Sequence, residues 1–108
     1  MLHRRYLIRR LGVGGRTIPL RHGDLVVAAR AESGQLDWEV VAYAMSDTVV
    51  ARRTHELAME CVIGTAEDGE PMVGQLTGTA FLVRNVERAL VFRGDGPLTG
   101  IDVSSLFG

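Results

Sequence analysis

Turn-forming residues punctuate this chain at short and fairly regular intervals, and this spacing limits the folds that it can adopt. Glycine-bearing clusters occur at 12–15, 22–24, 32–35, 64–69 and 94–97, and short apolar stretches fill the gaps. Turns that recur roughly every 8–12 residues are typical of all-β sandwiches and barrels. We therefore expect an all-β fold: a small antiparallel barrel of about 6–7 strands is the first choice, and a sandwich is the second.

The apolar residues between these turns alternate with period two, as they do in strands with one buried face. Leu25 and Val27 share a face of the third predicted strand, and Trp38 and Val40 share a face of the fourth. In both strands the opposite face begins polar and becomes apolar, which predicts a strand that meets a partner or enters the core from solvent. The turn at 32–35 should join the two strands in a hairpin. The predicted strands are 4–11, 16–21, 24–32, 36–46, 55–63, 71–84 and 87–93.

The segment 46–63 fits two kinds of secondary structure. As a helix capped by Ser46 or Asp47, it would align apolar residues spaced three and four positions apart. As a strand, it would begin near His55 and bury every second side chain, namely Leu57, Met59, Cys61 and Ile63. We favour the strand, while a short helix near 47–60 is the alternative and would make the fold α+β.

Small residues recur on one face of the long predicted strand near the C-terminus. Gly74, Gly78 and Ala80 lie at alternate or nearly alternate positions of this strand. Glycine inside a strand often marks a bulge, a barrel corner or the close approach of another group to the backbone. Regularly placed glycines in a long strand therefore favour a tightly coiled barrel over a sandwich.

Length and composition restrict both the architecture and the chemistry. The 108 residues, of which 46% are hydrophobic and 23% charged, fit one globular all-β domain spanning 1–108. All twelve basic residues are arginine, which excludes a Schiff-base lysine and a Walker-type phosphate loop. The single cysteine excludes an internal disulfide, and three scattered histidines offer no framework for zinc. We expect no metal and no cofactor.

The apolar stretches are too short for a membrane span or a secretion signal. No run of about 18 apolar residues occurs. The apolar start of the chain is interrupted by Arg9 and Arg10, so it lacks the continuous core of a signal peptide. We expect a cytoplasmic protein that makes no membrane contact.

Four residues are candidates for a catalytic or ligand-binding site. His55 stands beside Glu56, and a histidine with a carboxylate is the minimal equipment for acid–base catalysis, although neighbours on a strand point to opposite faces. Asp37 precedes Trp38, the only tryptophan, which is either a core residue or one wall of a cavity shared with Tyr43. We take His55 and Asp37 as candidate catalytic residues, and Trp38 and Tyr43 as candidate ligand-binding residues.

Charge is unevenly distributed along the chain, although the net charge is only −1. Residues 1–21 carry six arginines and no acid, whereas residues 55–108 carry eight acids and three arginines. Opposed ends of this kind can pair within one fold or between subunits. Near-neutrality gives little long-range attraction to phosphates, so we favour a homo-oligomer over nucleic-acid binding. A nucleic-acid site would use Arg4, Arg5, Arg9 and Arg10, with Tyr6 as a stacking platform.

The C-terminal part of the chain contains GQLTGTAFLVR at 74–84 and ALVFRGDGPLT at 89–99. This run resembles the closing hairpin of phage-type tail tube proteins, barrels that tend to end in a strand followed by a Gly-x-Gly-hydrophobic-Thr tail. The resemblance implies a structural role in an assembly.

These observations favour one function over three competing hypotheses. The favoured function is that of a small self-associating β-barrel that acts as a binding or structural module. The chain could instead be a small-molecule enzyme of the cyclase, isomerase or hydrolase type that uses the mouth of the barrel and binds a small-molecule ligand there. The remaining hypotheses are a tail-like structural subunit and an arginine-mediated nucleic-acid binder.

Overall fold

The computed structural model describes residues 2–29 and 36–100, and these two ranges contain strands but no helix. The strands are β1 (Leu2–Val13), β2 (Arg16–Ile18), β3 (Leu20–Ala29), β4 (Leu36–Ala44), β5 (Thr54–Thr65), β6 (Pro71–Val86) and β7 (Ala89–Gly94). The strand interpretation of 46–63 is confirmed from Thr54 onward, and the short helix near 47–60 is wrong. Both edges of β5 find partner strands, so its backbone groups are satisfied by the sheet and need no helical bonds.

The strands close into a six-stranded antiparallel barrel, to which the short β2 adds one further strand. Around the barrel the order is β1-β3-β4-β7-β6-β5, and the pairing of β5 with β1 closes it. The predicted small antiparallel barrel is therefore confirmed, since a sandwich would leave its edge strands unpaired.

The barrel is flattened, because two of its long strands change partners along their length. β1 pairs with β3 through residues 2–7 and with β5 through residues 7–13. β6 pairs first with β5 and then, from Ala80 onward, with β7. The molecule measures 37 × 36 × 21 Å, and the smallest dimension matches two β layers with their side chains.

The break between the second and third predicted strands lies at Pro19 rather than at 22–24. Proline has no N–H to donate to the sheet, so β2 ends before it and β3 begins at Leu20. Residues 22–24 lie inside β3, where a Cβ added to Gly23 would come 3.2 Å from the Cβ of Ile8. The predicted turn at 22–24 is therefore wrong, and its glycine instead permits close packing of two strands.

The other predicted hairpins have the expected partners with small changes at their ends. β3 and β4 pair from Ala29 opposite Leu36 onward, which confirms their hairpin, while the predicted turn at 32–35 lies outside the described residues. β7 begins two residues later than predicted, because Glu87 (φ 52°) and Arg88 (φ 71°) form a left-handed turn after β6.

The interior of the barrel is filled with apolar side chains. Among the described residues no polar or charged side chain is buried. Period-two alternation predicts most of this core correctly, because each strand turns every second side chain inward. The buried residues are Tyr6, Ile8, Leu11, Val13, Ile18, Leu25, Val27, Trp38, Val40, Ala42, Ala44, Leu57, Met59, Cys61, Leu76, Ala80, Leu82, Leu90 and Phe92.

Candidate functional site

Trp38 lies inside the barrel, against two glycines of neighbouring strands. A Cβ added to Gly78 would come within 2.6 Å of the indole ring, and one added to Gly94 would come closer still. The indole Nε1–H donates a hydrogen bond to the carbonyl oxygen of Gly96 at 2.9 Å. The space beside Trp38 is thus occupied by the backbone of β6 and β7, and its only polar atom is already satisfied.

Tyr43 lies on the other face of the same strand. Its side chain points outward and is 46% exposed, whereas Trp38 points inward and is buried. Odd and even positions of a strand face opposite sides of the sheet. The two aromatic residues that the sequence grouped as walls of one cavity therefore lie on opposite sides of the barrel wall.

The two candidate catalytic residues also lie apart. His55 is half-buried at one end of the interior, where its Nε2–H donates a hydrogen bond to the Ala51 carbonyl oxygen at 2.6 Å. The edge of its ring packs on Phe92, with 6.3 Å between ring centroids and an interplanar angle of 87°. Asp37 is exposed on the outer side of β4, which is separated from β5 by two strands in either direction around the barrel. His55 and Asp37 are therefore not neighbours, and neither of them lies next to Tyr43.

An open trough of about 410 Å³ lies on the outer surface where β2, β1, β5 and β6 run side by side. Its floor is one cross-strand row of small side chains, Thr17–Gly12–Ala58–Thr77, with Thr99 hydrogen-bonded beyond Thr77. The surface dips here because glycine and alanine stand where longer side chains would project. A volume of this size is in the range of small-molecule sites.

Charged side chains flank the trough on both sides. On one side lies the next cross-strand row, Arg10–Glu60–Gln75, in which Gln75 Nε2 donates to Glu60 Oε2 at 3.3 Å. On the other side lies Glu56, whose side chain is exposed. One guanidinium and two carboxylates thus surround a small-residue floor, a combination suited to a small polar molecule with a cationic group.

The trough was missed in the sequence because it depends on strand register. Gly12 belongs to the glycine cluster at 12–15 that predicts a turn, and alternation indicates only that Ala58 faces away from Leu57 and Met59. The register of β1 with β5 puts Gly12 and Ala58 opposite each other. Small residues at outward strand positions were the only available signal, and nothing local to either strand indicates that they pair.

Four neighbouring strands, β3, β4, β7 and β6, present a second continuous surface, which we call the outer wall. Phe81, Tyr43 and Val86 are its most exposed large apolar side chains, at 41%, 46% and 51%. The registers arrange its outward side chains in three rows of four, Val26–Glu39–Arg93–Phe81, Asp24–Val41–Val91–Arg84 and His22–Tyr43–Ala89–Val86.

The arginines of β1 do not form an aromatic-lined nucleic-acid surface. Tyr6, the proposed stacking platform, is buried in the core. Arg9 Nε lies 3.9 Å from Glu60 Oε1, and Arg10 stands directly opposite Glu60 in the neighbouring strand. Part of the N-terminal positive charge is thus paired within the same fold.

Cys61 is fully buried on the inner face of β5 and has no disulfide partner. Burial, with a smaller contribution from the adjacent carboxylate of Glu60, raises the pKa of its thiol to about 12. A thiol that stays protonated is a poor nucleophile and a poor metal ligand. Within 2–29 and 36–100 no three His, Cys, Asp or Glu side chains are grouped as metal ligands would be.

The part of the chain that the structure describes has no helix that is long and apolar enough to cross a membrane. Comparison of the chain with protein-family models, with curated proteins and with solved structures finds no match.

Proposed function

We propose that this chain is a small β-barrel module that binds through its outer surface and associates with further copies of itself. The observation that carries this proposal is the contrast between a filled interior and an outer wall with large exposed apolar side chains. A ligand inside the barrel would have to displace core side chains or the backbone around Trp38. Binding at the outer wall requires no such change.

The composition of the outer wall supports association with a protein surface. Tyrosine, phenylalanine and arginine are enriched in protein interfaces, and the outer wall contains Tyr43, Phe81, Arg84 and Arg93. Valines at the centre of the wall are half-buried and continuous with these residues. An apolar centre with charged residues of both signs around it is typical of interfaces that form and dissociate.

Sedimentation velocity at increasing protein concentration tests this proposal. We expect the average mass to rise from monomer towards dimer with a Kd on the order of 10–100 μM, because the wall is small for a protein interface. Added salt should weaken the association in part, since charged side chains belong to the wall. A monomer at every concentration and at every ionic strength would contradict the proposal. Assemblies larger than dimers would instead favour a tail-like structural subunit.

The trough supports a second candidate function, the binding of a small polar molecule. A small-molecule enzyme on this chain would use the trough rather than the barrel mouth, because the interior beside Trp38 is filled. A thermal-shift screen of small ammonium compounds tests this candidate. Binding should be lost in Glu56→Gln and in Ala58→Leu but kept in the control Glu67→Gln, which changes a carboxylate in the β5–β6 turn. Binding that survives both trough variants would exclude this site.

We also propose a cytoplasmic location, because a single unpaired thiol in a small domain fits a reducing compartment. Imaging of the full chain with a fluorescent tag at either end tests this location, and a signal confined to the cell envelope would contradict it.

A further inference from the structure

Two of the three rows of the outer wall have an order that makes them complementary to themselves. In the middle row Asp24 stands at the β3 side, Arg84 stands at the β6 side, and two valines lie between them. In the row nearest Trp38, a carboxylate on β4 neighbours a guanidinium on β7, with Val26 and Phe81 outside them. In these two rows, positions equidistant from the line between β4 and β7 therefore carry opposite charges or two apolar residues.

We infer that two copies of this chain form a dimer, outer wall to outer wall, about a two-fold axis that runs along this line between β4 and β7. This inference rests on the self-association proposed above and names its surface. Rotation about such an axis places each outward residue opposite the residue at the mirror position of its own row. The dimer would pack two sheets face to face with their strands nearly aligned.

The central pairs across this interface fit in both charge and size. Glu39 would face the partner's Arg93, and Val41 would face the partner's Val91. In the third row the large Tyr43 would face the partner's Ala89, so a large side chain meets a small one. Such pairing of a bulky aromatic residue with a small one lets two sheets approach closely.

Two of the three outer pairs are also complementary, while the third would place His22 opposite the partner's Val86. Asp24 would face the partner's Arg84, and Val26 would face the partner's Phe81. Within the described ranges no ion pair occupies Arg84, Arg93 or Glu39, so these groups remain available to a second copy. Asp24 Oδ2 contacts His22 Nε2 at 3.0 Å, which leaves its other oxygen for a guanidinium.

The size of the outer wall sets the expected strength of the dimer. Three rows on four strands cover roughly 400 Å² per copy at ordinary strand spacings. A standard stable interface covers about 800 Å² per partner. The dimer should therefore be weak and should form at high local concentration, which distinguishes it from an obligate dimer.

Exchange of charge between Asp24 and Arg84 tests the inference. Two strands separate these residues in one copy, at roughly 14 Å, so they contact each other only across the dimer. Arg84→Asp alone and Asp24→Arg alone each bring like charges together, and each should raise the dimer Kd about tenfold at low salt. A 1:1 mixture of the two variants should form a heterodimer with a Kd within about threefold of the original. In this heterodimer every charge at position 24 faces an opposite charge at position 84 of the other copy, so the like-charge contacts of the two variant homodimers are absent. The control Glu67→Arg makes the same type of charge change away from the wall and should leave the Kd unaltered.

Sedimentation of the single variants and of their mixture gives three distinct outcomes. Weakening by each variant and recovery in the mixture support the inference and show that both variants are folded. A dimer that is insensitive to both changes, or a mixture that does not recover, overturns this surface while leaving self-association intact. An original chain that stays monomeric up to about 1 mM overturns both this inference and the proposed function.

Discussion

The two faces of β4 differ sharply although they belong to the same nine-residue strand. On the inner face, Trp38, Val40, Ala42 and Ala44 are all buried. On the outer face, side chains are half-buried or exposed, and charged residues give way to Val41 and Tyr43 along the strand. The inner face is fixed by close packing, which tolerates little change. The outer face has no such constraint within one copy, and we propose that it meets a second copy.

The contrast between Trp38 and Tyr43 should appear directly in the free energy of unfolding. Trp38→Ala should lower it by about 4 kcal/mol, because a large buried ring and its hydrogen bond to Gly96 are lost. Tyr43→Ala should lower it by less than about 1 kcal/mol, since the side chain is largely on the surface, but it should weaken the dimer. Chemical denaturation of dilute protein measures the first effect and sedimentation the second. Equal losses of stability in the two variants would contradict the contrast between the faces.

Two glycine substitutions compare filled with open surroundings. Gly94→Ala should lower the free energy of unfolding by about 3 kcal/mol, because the added methyl group would overlap the Trp38 indole. Gly64→Ala is the matched control: it also lies in a strand, but an added Cβ there meets nothing within 4 Å. The control should change stability by no more than about 0.5 kcal/mol in either direction. Similar melting curves for the two variants would show that space beside Trp38 is available after all.

Ionisation of Cys61 provides a pH-dependent comparison of inner and outer groups. The folded chain raises the pKa of this thiol to about 12, so the folded state keeps its proton after the unfolded state has lost it. The protected thiol contributes fully to the free energy of unfolding below its pKa in the unfolded state, which lies near 9. This contribution declines as the pH rises towards 12. Above pH 9 stability should therefore fall by up to about 1.4 kcal/mol per pH unit beyond any decline seen in Cys61→Ala. Parallel pH profiles for the two proteins would show that the thiol is not protected.

The smallest expected difference separates the neighbours His55 and Glu56. His55→Ala should cost about 1 kcal/mol, because it removes the hydrogen bond to Ala51 and the edge contact with Phe92. Glu56→Ala should be nearly neutral, since its side chain is exposed. Thermal unfolding of the two variants measures the difference. A larger loss for Glu56→Ala would mean that the trough side of β5 contributes to the fold.

The sequence predicts the strands well because strand formation depends on local alternation and local turns. Leu25, Val27 and Val40 are buried as expected, since period two alone determines which face they occupy. Local signals also explain two errors in strand boundaries. The turn formed by Glu87 and Arg88 contains no glycine, and Pro19 proved a stronger break than the glycine at position 23.

The candidate sites were much harder to predict, because they depend on which strands become neighbours. Trp38 packs on Gly78 and Gly94, which are far from it in the chain, so its surroundings could not be inferred from the adjacent residues. The trough likewise requires Gly12 to lie opposite Ala58. Register between distant strands is set by the whole barrel, and no segment of this sequence carries it alone.

We propose that this barrel, which is filled inside, binds through its outer wall. Two-dimensional ¹H–¹⁵N spectra of the chain, recorded from about 20 μM to about 1 mM, test it most directly. We expect concentration-dependent shifts at Val41, Tyr43, Ala89 and Val91, while the indole N–H signal of Trp38 stays in place. Spectra that do not change with concentration, or shifts centred on Trp38, would contradict the claim.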